Sequence, residues 1–90
     1  MDNIEERFLG EKKLMDNVFA SLIKKSEDKQ AVEFFDMSFN YYKDAQFFYE
    51  KGDFVRAYEG IVISWSYIDA GLKVGFFGLP NDLLPYFTLE

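Results

Sequence analysis

The chain has 90 residues, 16 acids against 10 bases, a net charge of −6, and neither Cys nor His. That length is one domain with a modest core. The missing residue types exclude disulfides, thiolate or imidazole catalysis and Cys- or His-ligated metal, and the acidic balance opposes binding to nucleic-acid phosphates or to an anionic membrane surface.

Pro occurs only at Pro80 and Pro85, and the chain before them is rich in Lys, Glu, Ala, Leu and Phe at helical spacing. The spacing predicts a first helix over about Asn3 to Lys25, capped by Asp2 or Asn3, with Glu5 and Glu6 in its first turn. Its apolar stripe is Ile4, Phe8, Met15, Val18, Phe19 and Leu22, interrupted by Glu11. Lys24 and Lys25 are expected in its last turn, where the helix dipole favours cations. Ser26-Glu27-Asp28 reads as a break.

A second helix is predicted from about Asp28 to Lys51, stopping at Gly52. One broad arc carries Phe34, Phe35, Tyr41, Tyr42, Phe48 and Tyr49, and within it Ala31, Ser38 and Ala45 recur every seven residues. A third helix is predicted after Asp53, a strong N-cap type, running to about Gly75. The link Gly52-Asp53 is so short that the two helices must be antiparallel neighbours. Ala57, Ser64 and Gly71 again recur every seven residues, so small residues on both partners form a close seam. Trp65 falls on the apolar arc of the third helix and is read as core, needing an acceptor for its N–H. A second stripe of Ile63, Tyr67, Ala70 and Val74 lies on the opposite side. A helix apolar on two sides is sandwiched, either by the first helix or by another copy of the chain. The tail from Phe76 is apolar, broken by Gly78, Pro80 and Pro85, and must cover the bundle end or a partner. Asn81 or Asp82 is expected to cap a short turn there. The expected fold is all-α: an antiparallel three-helix bundle, a long hairpin of helices two and three, and a tail folding back.

Met1 to Arg7 is acidic where a secretory signal needs positive charge, and the apolar window Gly60 to Pro80 is interrupted by Asp69 and Lys73. Neither a signal nor a membrane span is expected, and a cytoplasmic setting follows. Leu89-Glu90 has the look of a vector-derived pair and carries no weight.

Few residues carry chemistry. Asp36, Asn40 and Asp44 share a helical face that could hold a hard cation, but a solvated acidic face is preferred, and no metal or cofactor is expected. Asp44, Asp53, Arg56 and Asp69 are the candidate polar site, with Arg56 able to hold an anion or to pair with Asp44 or Asp53. Phe47, alone in the polar arc of helix two, joins Ile63, Tyr67, Val74, Phe76 and Phe77 as a candidate interface. Ala45, Gly52, Ala57, Ser64, Trp65 and Gly71 are read as structural. No nucleophile–base pair can be assembled, so no enzyme activity is expected. The favoured function is a non-catalytic protein-interaction or self-association module, with a dimer or another protein as partner. The alternative is a small-ligand or nucleotide-binding accessory protein using the polar residues around the turn.

Asp44-Ala45, Gly52-Asp53, Arg56-Ala57, Asp69-Ala70-Gly71 and Gly75 together resemble the archaeal domain-of-unknown-function family three-five-seven. The resemblance implies a short helical protein of archaeal cytoplasm without assigned activity. The hairpin is also similar to half a tetratricopeptide unit, with Ala45, Phe48, Gly52 and Ala57 at that spacing, and to HEPN-type domains. The HEPN ribonuclease motif pairs Arg with His, so that activity does not carry over to a chain without His.

Overall fold

The computed structural model describes residues 3–88; Asp2 and the Leu89-Glu90 pair lie outside the described residues. Three helices carry the fold: α1 (Ile4–Ser21), α2 (Lys29–Glu50) and α3 (Phe54–Lys73). Two short strands, β1 (Ile23–Lys24) and β2 (Phe77–Gly78), pair antiparallel, and a 3-10 turn spans Leu84–Tyr86. The fold is therefore all-α with one small strand pair.

Each helix begins on a side-chain cap. Asn3 accepts from the Glu6 N–H, Asp28 from Gln30, and Asp53 from Arg56. Helices α2 and α3 end on left-handed glycines, Gly52 (φ 79°) and Gly75 (φ 83°). Beyond each glycine the next N–H reaches back into the last turn, Asp53 to the Phe48 carbonyl and Phe76 to that of Gly71.

Helix α1 ends at Ser21, four residues before the predicted Lys25. The reason is tertiary. Leu22 turns extended, and Ile23 and Lys24 pair with Gly78 and Phe77, while the Lys25 N–H donates to the Phe76 carbonyl. Backbone groups that a longer helix would have satisfied are satisfied instead by the chain after α3. Lys24 and Lys25 consequently cap no helix. The Lys24 ammonium sits 3.7 Å from the Phe35 ring centre.

The α2–α3 hairpin closes on small residues. Ala31, Ser38 and Ala45 are the buried positions of α2, and Ala57, Ser64 and Gly71 are buried opposite them. At the centre the Ser38 hydroxyl donates to the Ser64 carbonyl at 2.8 Å, and Ser64 returns the bond to the Ser38 carbonyl at 2.7 Å. The broad aromatic arc of α2 divides around this seam. Phe35, Tyr42 and Tyr49 turn toward α1, where Phe19 meets Phe35, Phe39 and Tyr42, and Phe8 stacks on Tyr49. Large rings hold α1 and α2 apart where small residues draw α2 and α3 together. Phe34, Tyr41 and Phe48 turn the other way.

Phe8, Met15, Val18, Ile61 and Ile68 form the centre of the core, and the tail completes it. Phe77, only 3% exposed, lies against Gly71 so closely that a β-carbon there would collide with its ring. Leu79, Leu83 and Phe87 are buried as well. The tail thus folds back on its own bundle. Phe76 and Phe77 are not free for a partner, because Phe76 packs edge-on to Phe34 and Phe77 fills the core. The short 3-10 turn begins at Leu84 with Leu83 in the cap position, one or two residues past the expected Asp82 or Asn81, and without a side-chain cap; Leu83 N–H donates to the Pro80 carbonyl.

Candidate functional site

The four polar residues singled out from the sequence do not converge. Asp53 caps α3 and lies 3.6 Å from the Arg56 guanidinium, an exposed pair. Asp69 lies further along α3 by roughly 24 Å. Asp69 is 9% exposed, and its carboxylate accepts from the Thr88 N–H at 2.8 Å and the Thr88 hydroxyl at 2.6 Å, with Lys73 at 3.7 Å. Asp69 is a clasp for the tail, so a ligand site around the turn has no fourth member. Trp65 serves the same clasp: its indole N–H donates to the Tyr86 carbonyl at 3.1 Å, and its ring stacks on Phe87.

Asp44 and Arg56 do share a surface. A shallow groove on the hairpin is lined by Tyr41, Asp44, Phe48, Arg56, Glu59, Gly60 and Ile63. Gly60 forms its floor; a β-carbon there would lie 3.2 Å from the Ala45 β-carbon. Arg56 lies over Phe48 at 5.7 Å. Toward the other end of α3, Tyr67 is half-buried, edge-on to Phe34 and stacked on Tyr41, so it is covered within the chain. Ile63 and Val74 stay exposed, Val74 at 60%. Phe47, 55% exposed, does not line the groove; it packs edge-on to Phe48, with the Lys51 ammonium over its ring. Helix α1 and the tail cover the opposite side of α3, where Trp65 and Leu72 lie. Among the described residues no group of three or more acidic side chains is placed to hold a metal ion.

Two tyrosine contacts were not legible in the sequence. Tyr42 donates its hydroxyl to Asp16, which also pairs with Lys12 at 3.1 Å; burial first, then the hydrogen bond and the Asp16 charge, push the phenol up to about 12. Tyr49 donates to Glu5 at 3.0 Å, and chiefly that bond raises its pKa. Both tie α1 to α2. The only sequence signal was an acid one turn or more from an apolar stripe, which many solvated helices share.

The profile of the family described as Protein of unknown function (DUF357) matches residues 10–77. The chain belongs to this family. Its fold is similar to the crystal structure of the DUF357 protein AF1782 from Archaeoglobus fulgidus, with 25% identity, a TM-score of 0.73, and coverage of 86% of this chain and 93% of that one. Among curated proteins there is no significant match. The match runs from Gly10 within α1 through the whole hairpin to Phe77 in β2, so the two helices that build the groove lie inside it. None of the three helices is long and apolar enough, among the described residues, to cross a membrane.

Proposed function

We propose that this DUF357 chain is a non-catalytic interaction module that self-associates, two copies docking through the uncovered face of the α2–α3 hairpin. The observation that supports it is the asymmetry of α3. One flank lies under α1 and the tail; the other keeps Ile63 and Val74 at the surface above half-buried Tyr41, Phe48 and Tyr67. Exposed apolar side chains set around aromatic rings are what an interface core requires.

A second copy is the occupant that the charges favour. The groove carries Asp44 and Glu59 beside Arg56, both signs within one patch of a chain whose net charge is −6. A two-fold contact sets each surface against itself, and a patch that carries both signs can set Arg56 of one copy against Asp44 or Glu59 of the other. In this reading the module works in the cytoplasm of an archaeal cell; the solved relative supports only the archaeal part, since it comes from Archaeoglobus fulgidus.

The test is the melting temperature over a hundredfold range of protein concentration. A dimer melts higher as concentration rises, because association stabilises only the folded chain. Ile63→Lys places a charge at the centre of the face and removes that dependence while retaining the helical circular dichroism. A melting temperature independent of concentration in the native chain refutes the reading.

A further inference from the structure

On the other side of the molecule, α1, α3 and the tail line a second open groove of about 260 Å³. Its walls are Glu11, Leu14, Tyr58, Val62, Trp65 and Tyr86. Tyr58, Val62 and Trp65 follow at i, i+4 and i+7, hence along one face of α3, with the two rings roughly 10 Å apart along the axis. Glu11 and Leu14 face them from α1 one turn apart, and Tyr86 closes one side from the tail. The groove is preorganised. Trp65 is fixed by its bond to the Tyr86 carbonyl and by stacking on Phe87.

Two observations say what such a groove would take. Glu11 interrupts the apolar stripe of α1 and makes no hydrogen bond or ion pair among the described residues, although Arg7 lies one turn before it. Lys12 is engaged by Asp16. Lys13 lines the hollow on the far side of Tyr86, and residues two apart on a helix do not face each other. The rings carry no cation of the chain's own either, although Phe87 occupies one face of Trp65. Among the described residues a Lys or Arg lies over a ring in five places, and none of the five involves Tyr58, Trp65 or Tyr86. Three aromatic walls and one unpaired carboxylate are the chemistry that holds an alkylated ammonium ion, which is attracted to ring faces and needs no hydrogen-bond partner. An anion is repelled by Glu11, and a bare metal ion finds one carboxylate where it needs several oxygens. The volume is below that of a drug-sized pocket and suits a head group.

We propose that this groove binds a methylated alkylammonium group, seated among Tyr58, Trp65 and Tyr86 with Glu11 as its counter-charge. The group is either a free cation of the choline type or the head of a methylated lysine side chain. The site lies opposite the proposed docking face and does not depend on it.

Trp65 is the single Trp of the chain and reports directly on the groove. Its emission is titrated with choline, with a short peptide carrying trimethyllysine, with the same peptide unmodified, and with 3,3-dimethylbutan-1-ol, the uncharged carbon isostere of choline. The expected result is a saturable change for choline or the methylated peptide, with the isostere or the unmodified peptide weaker by about tenfold. Glu11→Gln weakens the cation by about tenfold at unchanged melting temperature, and Tyr58→Leu weakens it while Tyr58→Phe does not. Binding of choline points to a free ion; binding confined to the methylated peptide points to a protein side chain. No saturable change with either cation, equal binding of the isostere, or unaltered binding by Glu11→Gln overturns the proposal.

Discussion

Replacing Ser38 by Val tests the small-residue seam that sets the helix spacing. The Ser38 and Ser64 hydroxyl oxygens are 3.1 Å apart, and each lies 2.7–2.8 Å from the opposite backbone carbonyl. A methyl group in place of either hydroxyl needs roughly 3.5–4.0 Å from its neighbours. The hairpin must therefore open by several tenths of an ångström, against a seam that includes Gly60 and Ala45. Overpacking of this kind costs about 1–3 kcal/mol, and the lost hydrogen bond about 1 kcal/mol more. Ser38→Ala loses the same bond but regains about 0.5 kcal/mol in helix propensity and introduces no clash. Urea denaturation should place the Ala variant within about 1 kcal/mol of the native chain and the Val variant about 2–4 kcal/mol below it. In a thermal melt the Val variant should fall by roughly 10–25 °C for a domain of this size. A Val variant as stable as the Ala variant would show that the seam is not tight, and the reason given for the hairpin's close approach would be wrong.

Two glycines should answer oppositely to alanine. Gly10, in α1 with no neighbour within 4 Å of an added β-carbon, gains about 0.5–1 kcal/mol; Gly71, under the Phe77 ring, loses about 1–3 kcal/mol, both read by urea denaturation. The folded-state pKa of Tyr42 lies above its unfolded value, so its contribution is whole below pH 10 and disappears as pH rises toward 12. Discounted for solvent screening this amounts to about 1–2 kcal/mol, and Tyr42→Phe should flatten the stability profile in that window. Asp69→Ala should cost about 2 kcal/mol and shift Trp65 emission to the red as the clasp on Thr88 opens; Asp69→Asn, which keeps one acceptor oxygen, should do less.

The hairpin was legible because its signals are local. Gly52-Asp53 combines a helix stop with a helix start, and the seven-residue recurrence of small side chains survives any detail of packing. The side of α3 under the tail was legible only as a need for cover. Which residues supply that cover was not, because Phe77 against Gly71 and Thr88 against Asp69 join positions whose pairing depends on where a broken, proline-interrupted chain turns. The early end of α1 was hidden for a related reason. A two-residue strand pair has no periodicity, and Leu22-Ile23-Lys24-Lys25 continues a helical pattern that β2 overrides. Of the candidate polar site, the Asp53 cap was readable from residue type, while the distance between Asp53 and Asp69 follows at once from Asp53 capping α3 and Asp69 lying about four turns along it. Glu11 was visible as a break in an apolar stripe, but the rings that face it come from α3 and the tail.

Sedimentation equilibrium from low to high micromolar concentration tests the docking of two copies most directly. A dimer at the upper end, dispersed into monomers by Ile63→Lys with helix content retained, is the expected result. A native chain that stays monomeric throughout contradicts it, and leaves the exposed Ile63 and Val74 without the role assigned to them.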